Sequence, residues 1–161
     1  MAIEIERKFK VTTDEYKQLA KPLYCKQGYF NTPNEPLVRV RIMGEKAYLT
    51  LKGKNKGISR LEFEYEIPVI DAQELLSNFC STPFIEKNRF IISIEDTTWE
   101  VDEFLGDNFG LVIAEVEISS EDANFQKPSW VGREVSDETK YYNYKLVNHP
   151  YSKWNEIKTK K

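Results

Sequence analysis

Over most of this chain apolar and polar residues alternate one by one, and the polar member is usually charged. In residues 3–9 this puts Ile3, Ile5 and Phe9 on one face and Glu4, Glu6 and Lys8 on the other, which is the period of a β-strand. The same period returns in residues 37–42, 47–52, 60–67, 86–92, 97–104 and 111–118. Gly44 and Glu45 suit a hairpin turn, residues 53–57 a flexible basic loop, and residues 27–36, rich in Gly, Asn and Pro, a connection or a weak edge strand.

Helix signals fall between these segments. Thr12 with Glu15 forms a candidate capping box opening a short helix that Pro22 ends, and Asp71 with Glu74 opens another whose apolar stripe is Leu75, Leu76 and Phe79, with Pro83 marking its exit. Residues 119–122 begin a short helix or turn, Ser136 caps a Tyr-rich helix to about residue 147, and Pro150 starts a last one, with Lys158, Lys160 and Lys161 fraying. The expected class is α+β: seven or eight antiparallel strands with three to five short helices.

At 161 residues, 40% hydrophobic and 30% charged, with no tandem repeat or linker, residues 1–161 are expected to form a single domain. The balance of 23 basic against 26 acidic residues gives no electrostatic support for a nucleic-acid partner. No apolar run approaches the roughly 18 residues that a membrane helix needs, no signal stretch opens the chain, and the only cysteines are Cys25 and Cys80. These features describe a cytoplasmic protein with free thiols.

The charged faces carry the chemistry. Glu4/Glu6, Arg39/Arg41, Glu62/Glu64, Lys87/Arg89 and Glu115/Glu117 are like-sign pairs two residues apart, each repelling itself across roughly 6.5–7 Å of strand. A sheet face that merely meets water intersperses both signs with uncharged polar residues. The opposite faces, among them Ile3, Val38, Val40, Leu49, Leu61, Phe63 and Val116, need covering, which makes the charged side the inside of a curled sheet. Clustered carboxylates suit Mg²⁺ or Mn²⁺, and Arg with Lys suits a chain of phosphates. Internal pairing of acids with bases is the competing account.

Glu4-x-Glu6-x-Lys8 resembles the Glu-x-Glu-x-Lys signature of the CYTH superfamily, the triphosphate tunnel metalloenzymes. The resemblance continues through Arg39-x-Arg41, Lys52, Arg60-x-Glu62-x-Glu64, Lys87-x-Arg89, Asp102, Glu115-x-Glu117 and Trp130-x-Gly132-x-Glu134-Val135-Ser136. It implies an eight-stranded antiparallel barrel, or tunnel, with a charged interior covered by several short helices. It further implies that Lys8, Arg39, Arg41, Lys52, Lys87 and Arg89 hold phosphate oxygens and that Glu4, Glu6, Glu62, Glu64, Asp102, Glu115 and Glu117 are metal ligands. Lys87, aided by Tyr29, is then the catalytic group that positions water. One departure is Lys140 in Lys140-Tyr141-Tyr142-Asn143, where relatives usually carry Arg, so the bidentate geometry of a rim contact is lost.

The implied activity is metal-dependent hydrolysis of inorganic tripolyphosphate to pyrophosphate and phosphate. Alternatives within the same tunnel are a thiamine triphosphatase, a class IV-like adenylyl cyclase, or a non-catalytic polyphosphate- or nucleotide-binding module. The expected partner is a triphosphate-containing small molecule, with no nucleic acid and no membrane, and a homodimer is left open. Trp99 has outer-face parity and Trp130 and Trp154 lie outside the strands, so no platform for a nucleobase declares itself. His149, the only histidine, is expected to be structural.

Overall fold

The computed structural model describes residues 2–158, with side chains through Trp154. Its strands are β1 (Ile3–Val11), β2 (Leu23–Phe30), β3 (Leu37–Met43), β4 (Lys46–Lys52), β5 (Ser59–Ile67), β6 (Cys80–Ile94), β7 (Thr97–Phe104), β8 (Val112–Glu117) and β9 (Val131–Glu134). Helix α1 (Val69–Phe79) joins β5 to β6, and α2 (Asn143–Asn148) and α3 (Tyr151–Lys158) follow β9. None is long and apolar enough to cross a membrane.

Strands run in the order β5-β4-β3-β2-β6-β7-β8-β1, and pairing of β1 with β5 closes them into an eight-stranded antiparallel barrel. β1 makes the closure by dividing its length. Ile3, Glu4 and Ile5 pair with β5, residues 6–10 pair with β8, and beyond Phe9 the free edge is taken by β9, which lies outside the barrel. Because side chains alternate, every barrel strand but β2 then sends charged side chains inward.

Three apolar clusters hold the wall. Phe9, Tyr16, Phe90, Trp99, Val116 and Trp130 pack on the outside of β6, β7, β8 and β1, with edge-on ring contacts between Trp99 and both Phe9 and Trp130. Helix α1 lays Ala72 and Leu76 over Val40 and Ala47 on the outside of β3 and β4. The third cluster is internal in part: Tyr29, Ile85, Phe104 and Ile113 share the inward parity of Gln27, Lys87, Asp102 and Glu115, and Tyr141, Leu146 and Trp154 pack against them. The barrel is therefore stoppered at one end by an apolar plug that the C-terminal helices complete.

Several elements differ from expectation. β2 is a full interior strand between β3 and β6 and begins at Leu23; its inward residues Cys25, Gln27 and Tyr29 are uncharged, so the charged alternation is missing there. β6 runs straight through Pro83, because the pairing with β2 slips between Gln27 and Tyr29 and a bulge tolerates a residue with no N–H. Thr12 caps nothing; Glu15–Gln18 is a 3₁₀ turn in which Thr13 Oγ1 accepts from the Glu15 amide. α1 starts two residues before Asp71, after Pro68, and leaves Asp71 in the first turn, where a carboxylate suits the helix dipole. Ser136 caps no helix; its Oγ accepts from the Lys8 amide and donates to Glu134, tying β9 to β1. Helical cover is also incomplete, since Ile3, Leu61, Phe63 and Tyr65 stay exposed on the outside of β1 and β5. Lys160 and Lys161 lie outside the described residues.

Candidate active site

Strand order sorts the interior charges into two walls. β7, β8, β1 and β5 are neighbours and contribute Glu100, Glu115, Glu117, Glu4, Glu6, Glu62 and Glu64, with Lys8 and Arg60 set among them. β4, β3 and β6, with β2 between the last two, contribute Lys52, Arg39, Arg41, Lys87 and Arg89. All of these line one cavity of about 150 Å³, together with Tyr29, Tyr142, Asn143 and Tyr144 at the plugged end.

Ion pairs cross between and within the walls. Lys8 Nζ contacts Glu115 and lies 3.3 Å from Glu6, Lys52 Nζ lies 3.4 Å from Glu4 and 3.3 Å from Glu62, and Arg39 and Arg41 share one oxygen of Glu64 at 3.2 and 3.3 Å. Arg60 pairs with Glu4 at 3.3 Å. Asp102 sits behind the lining. Arg89 donates to both its oxygens at 2.8 Å, and Lys87 Nζ lies 2.9 Å away.

Pairing leaves some groups strained. Burial, then repulsion from Glu115, pushes the Glu6 carboxyl above its usual range, and Glu100 is raised by burial and by Glu115 and Asp102 despite Arg89. Glu117, facing Glu4, Glu6, Glu62 and Glu100 with little cationic help, is raised by burial and by those charges to about 7. Glu115 goes the other way: burial opposes ionisation, but Lys8 and Arg89 hold it well below the carboxylate range. On the basic wall, burial and then Arg39 and Arg89 lower Arg41, while burial with Arg89 nearby brings Lys87 down to about 8 even with Asp102 beside it. Arg39 and Arg41 also each keep a buried Nε–H with no acceptor among the described residues.

Ligand oxygens of Glu6, Glu100 and Glu115 all lie within 4.8 Å of one another. Three hard carboxylates at that spacing, two of them resisting ionisation, are a donor set that fits a divalent cation. Glu100 was not among the residues singled out from sequence, although Glu100-x-Asp102 repeats the like-sign, two-residue spacing of the other pairs and pairs with Glu115 across β7 and β8. Lys140 makes no rim contact; its amine stacks on Trp154 at 4.6 Å, outside the cavity. Trp99, Trp130 and Trp154 are all buried away from the lining, and His149 lies against Trp154.

The description of a CYTH domain fits residues 2–149. The chain belongs to the CYTH family. Among curated proteins, this CYTH chain is 53% identical over 156 residues to the inorganic triphosphatase of Acetivibrio thermocellus, covering 97% of this chain and all of that one. It is 38% identical to the inorganic triphosphatase of Nitrosomonas europaea, over 89% of this chain and 96% of that one. Among solved structures, an inorganic triphosphatase superposes on the CYTH barrel with a TM-score of 0.64 at 33% identity, covering 89% of this chain and 96% of that one.

Proposed function

We propose that this chain hydrolyses inorganic tripolyphosphate to pyrophosphate and phosphate with the help of a divalent cation, Mg²⁺ or Mn²⁺. The observation that carries the proposal is the opposition, inside one cavity, of the Glu6–Glu100–Glu115 group to Arg39, Arg41, Lys52, Lys87 and Arg89. A linear triphosphate with its cation is a ligand whose charges match both walls, and the relatives' activity supports the same substrate. Its lining is ionic, with no tryptophan to stack a nucleobase.

In this reading Glu6, Glu100 and Glu115 hold the cation, with Glu4, Glu62 and Glu117 adjoining on the same wall. Bound there, a divalent cation offsets charge on the phosphate oxygens. Asp102 and Glu64, expected as ligands, serve instead as counter-ions, since Arg89 with Lys87 engages the first and Arg39, Arg41 and Thr50 engage the second. Arg39, Arg41, Arg89, Lys8 and Lys52 grip phosphate oxygens, and the mutual repulsion of Arg41 with Arg39 and Arg89 supports a polyanion among them. Lys87, lowered to about 8, and the Tyr29 hydroxyl flank the terminal phosphoryl group and orient the attacking water in line.

The test is phosphate release from tripolyphosphate, ATP and thiamine triphosphate with Mg²⁺ or Mn²⁺, alongside an assay for cyclic AMP. Tripolyphosphate should be turned over with the highest kcat/KM. Glu6→Gln, which deletes a ligand charge at constant volume, should lower metal-dependent turnover by on the order of 100-fold or more with unchanged circular dichroism. Wild-type protein silent on tripolyphosphate, or a fully active Glu6→Gln, would sink the reading.

A further inference from the structure

Gln27 is a glutamine placed at a cost. It is fully buried on β2, between Cys25 and Tyr29, and does not line the cavity itself. Its amide nitrogen donates twice, to the Tyr29 hydroxyl at 2.7 Å and to Asn143 Oδ1 at 3.2 Å, yet its own oxygen is buried with no donor among the described residues. A buried acceptor left unmade is destabilising, and an apolar residue of similar size would avoid it. The side chain earns its place only through its NH₂.

The direction of each bond follows from the one before. Lys87 Nζ donates to Asn143 Oδ1 at 2.8 Å, which turns the Asn143 oxygen, not its nitrogen, toward Lys87. That oxygen then also accepts from Gln27, which fixes the Gln27 amide with nitrogen forward. The same nitrogen makes Tyr29 an acceptor at the buried side of its hydroxyl and leaves the hydroxyl hydrogen free for the cavity that Tyr29 lines. Asn143 is the first residue of α2, so the last link comes from the C-terminal segment that stoppers the barrel.

We infer that Gln27 and Asn143 are positioning residues for the hydrolysis: a two-amide bridge from β2 and α2 that aims the Lys87 amine and the Tyr29 hydroxyl hydrogen at the same end of the bound triphosphate. This rests on the proposed reading of the cavity as a triphosphatase site. Its consequence is that assembly of the catalytic end waits on docking of α2. Removing the bridge loosens two aimed groups without removing any phosphate contact made by Arg39, Arg41 or Arg89, so kcat falls and KM for tripolyphosphate does not.

The experiment uses the full chain with Mn²⁺ and tripolyphosphate. Asn143→Leu, similar in size but without an acceptor, should lower kcat on the order of 10-fold to 100-fold with KM within about twofold, whereas Asn143→Asp, which keeps a carboxylate oxygen for both donors, should restore kcat to within a few-fold of wild type. Gln27→Met should give the same kcat loss, and that loss should shrink when Asn143→Leu is already present, because the bridge is then already broken. If Gln27→Met does not fold, the Asn143 pair decides alone. Wild-type kcat in Asn143→Leu, an Asn143→Asp no better than Asn143→Leu, a loss confined to KM, or full multiplication of the Gln27 and Asn143 effects each overturns the bridge while leaving the triphosphatase reading intact. A wild-type protein inactive on tripolyphosphate removes both.

Discussion

At the scale of single residues, the most informative group is Glu117, an exposed carboxyl on the acidic wall. Its pKa is raised from 4.5 to about 7 by burial and by Glu4, Glu6, Glu62 and Glu100. Between those two pH values the folded, ligand-free protein holds a proton on this group that the unfolded chain does not, so its contribution to stability is full below about 4.5 and is lost as pH rises toward 7. Glu117→Gln fixes the neutral state. Its melting temperature without metal should therefore match wild type near pH 5 and exceed it at pH 8, and thermal unfolding at the two pH values checks this; an equal gap at both would show that the carboxyl is ionised throughout. The interior acids were largely legible in the sequence because a like-sign pair two residues apart is costly on any wet surface. Glu100 is hidden because its closeness to Glu6 and Glu115 comes from the pairing of β7 with β8 and of β8 with β1, which no spacing within one strand records. Gln27 and Asn143 escaped for a different reason: uncharged amides distant in sequence acquire meaning only through the hydrogen bonds that join them.

At the scale of elements, charge alternation identified every barrel strand but β2, whose inward side carries a thiol, an amide and a phenol. Its outward side holds Gly28, where a Cβ would stand 2.9 Å from Leu76 Cδ2 and 3.0 Å from both Cys80 Cβ and Phe84 Cδ1. The glycine that suggested a loop is thus the point at which α1 and the start of β6 close onto the wall. Gly28→Ala should destabilise the protein by about 1–3 kcal/mol through overpacking. Leu76→Ala alone should cost about 2–5 kcal/mol by leaving a cavity. The two together should cost clearly less than their sum, because the added methyl enters the space the leucine vacates. Denaturant unfolding of the four proteins checks this, and strict additivity would mean that Gly28 is required for backbone reasons alone. Helix starts were less legible than strands. Thr12, Asp71 and Ser136 each have the chemistry of a cap, but α1 begins directly after Pro68 and the Ser136 hydroxyl is taken by the Lys8 amide.

At the scale of the whole molecule, the sequence implied an inside and an outside but not how the inside is divided. Among the described residues, seven acidic and seven basic side chains line the cavity, and closure of β1 on β5 groups them into facing walls that neutralise each other. That balance makes the two ligands depend on one another. In the proposed site, a cation taking Glu6, Glu100 and Glu115 draws them from Lys8, which is then left buried without its two carboxylates, and from Arg89, which keeps only Asp102. A triphosphate taking Lys8, Lys52 and the arginines strands Glu115, Glu4 and Glu64 in the same way. On this reading each ligand alone gives up ion pairs that the other can replace, and the two should bind cooperatively. The coupling should reach about tenfold or more, roughly 1.4 kcal/mol, and by linkage it must be the same whichever ligand is added first. Calorimetric titration with Mn²⁺, with and without a non-hydrolysable imidotriphosphate and corrected for their complex in solution, measures one side; titration of the analogue with and without Mn²⁺ measures the other. Affinities for each that differ by less than twofold with the other present would mean that the walls do not exchange partners on binding, and that the ion pairs of the empty barrel persist in the loaded one.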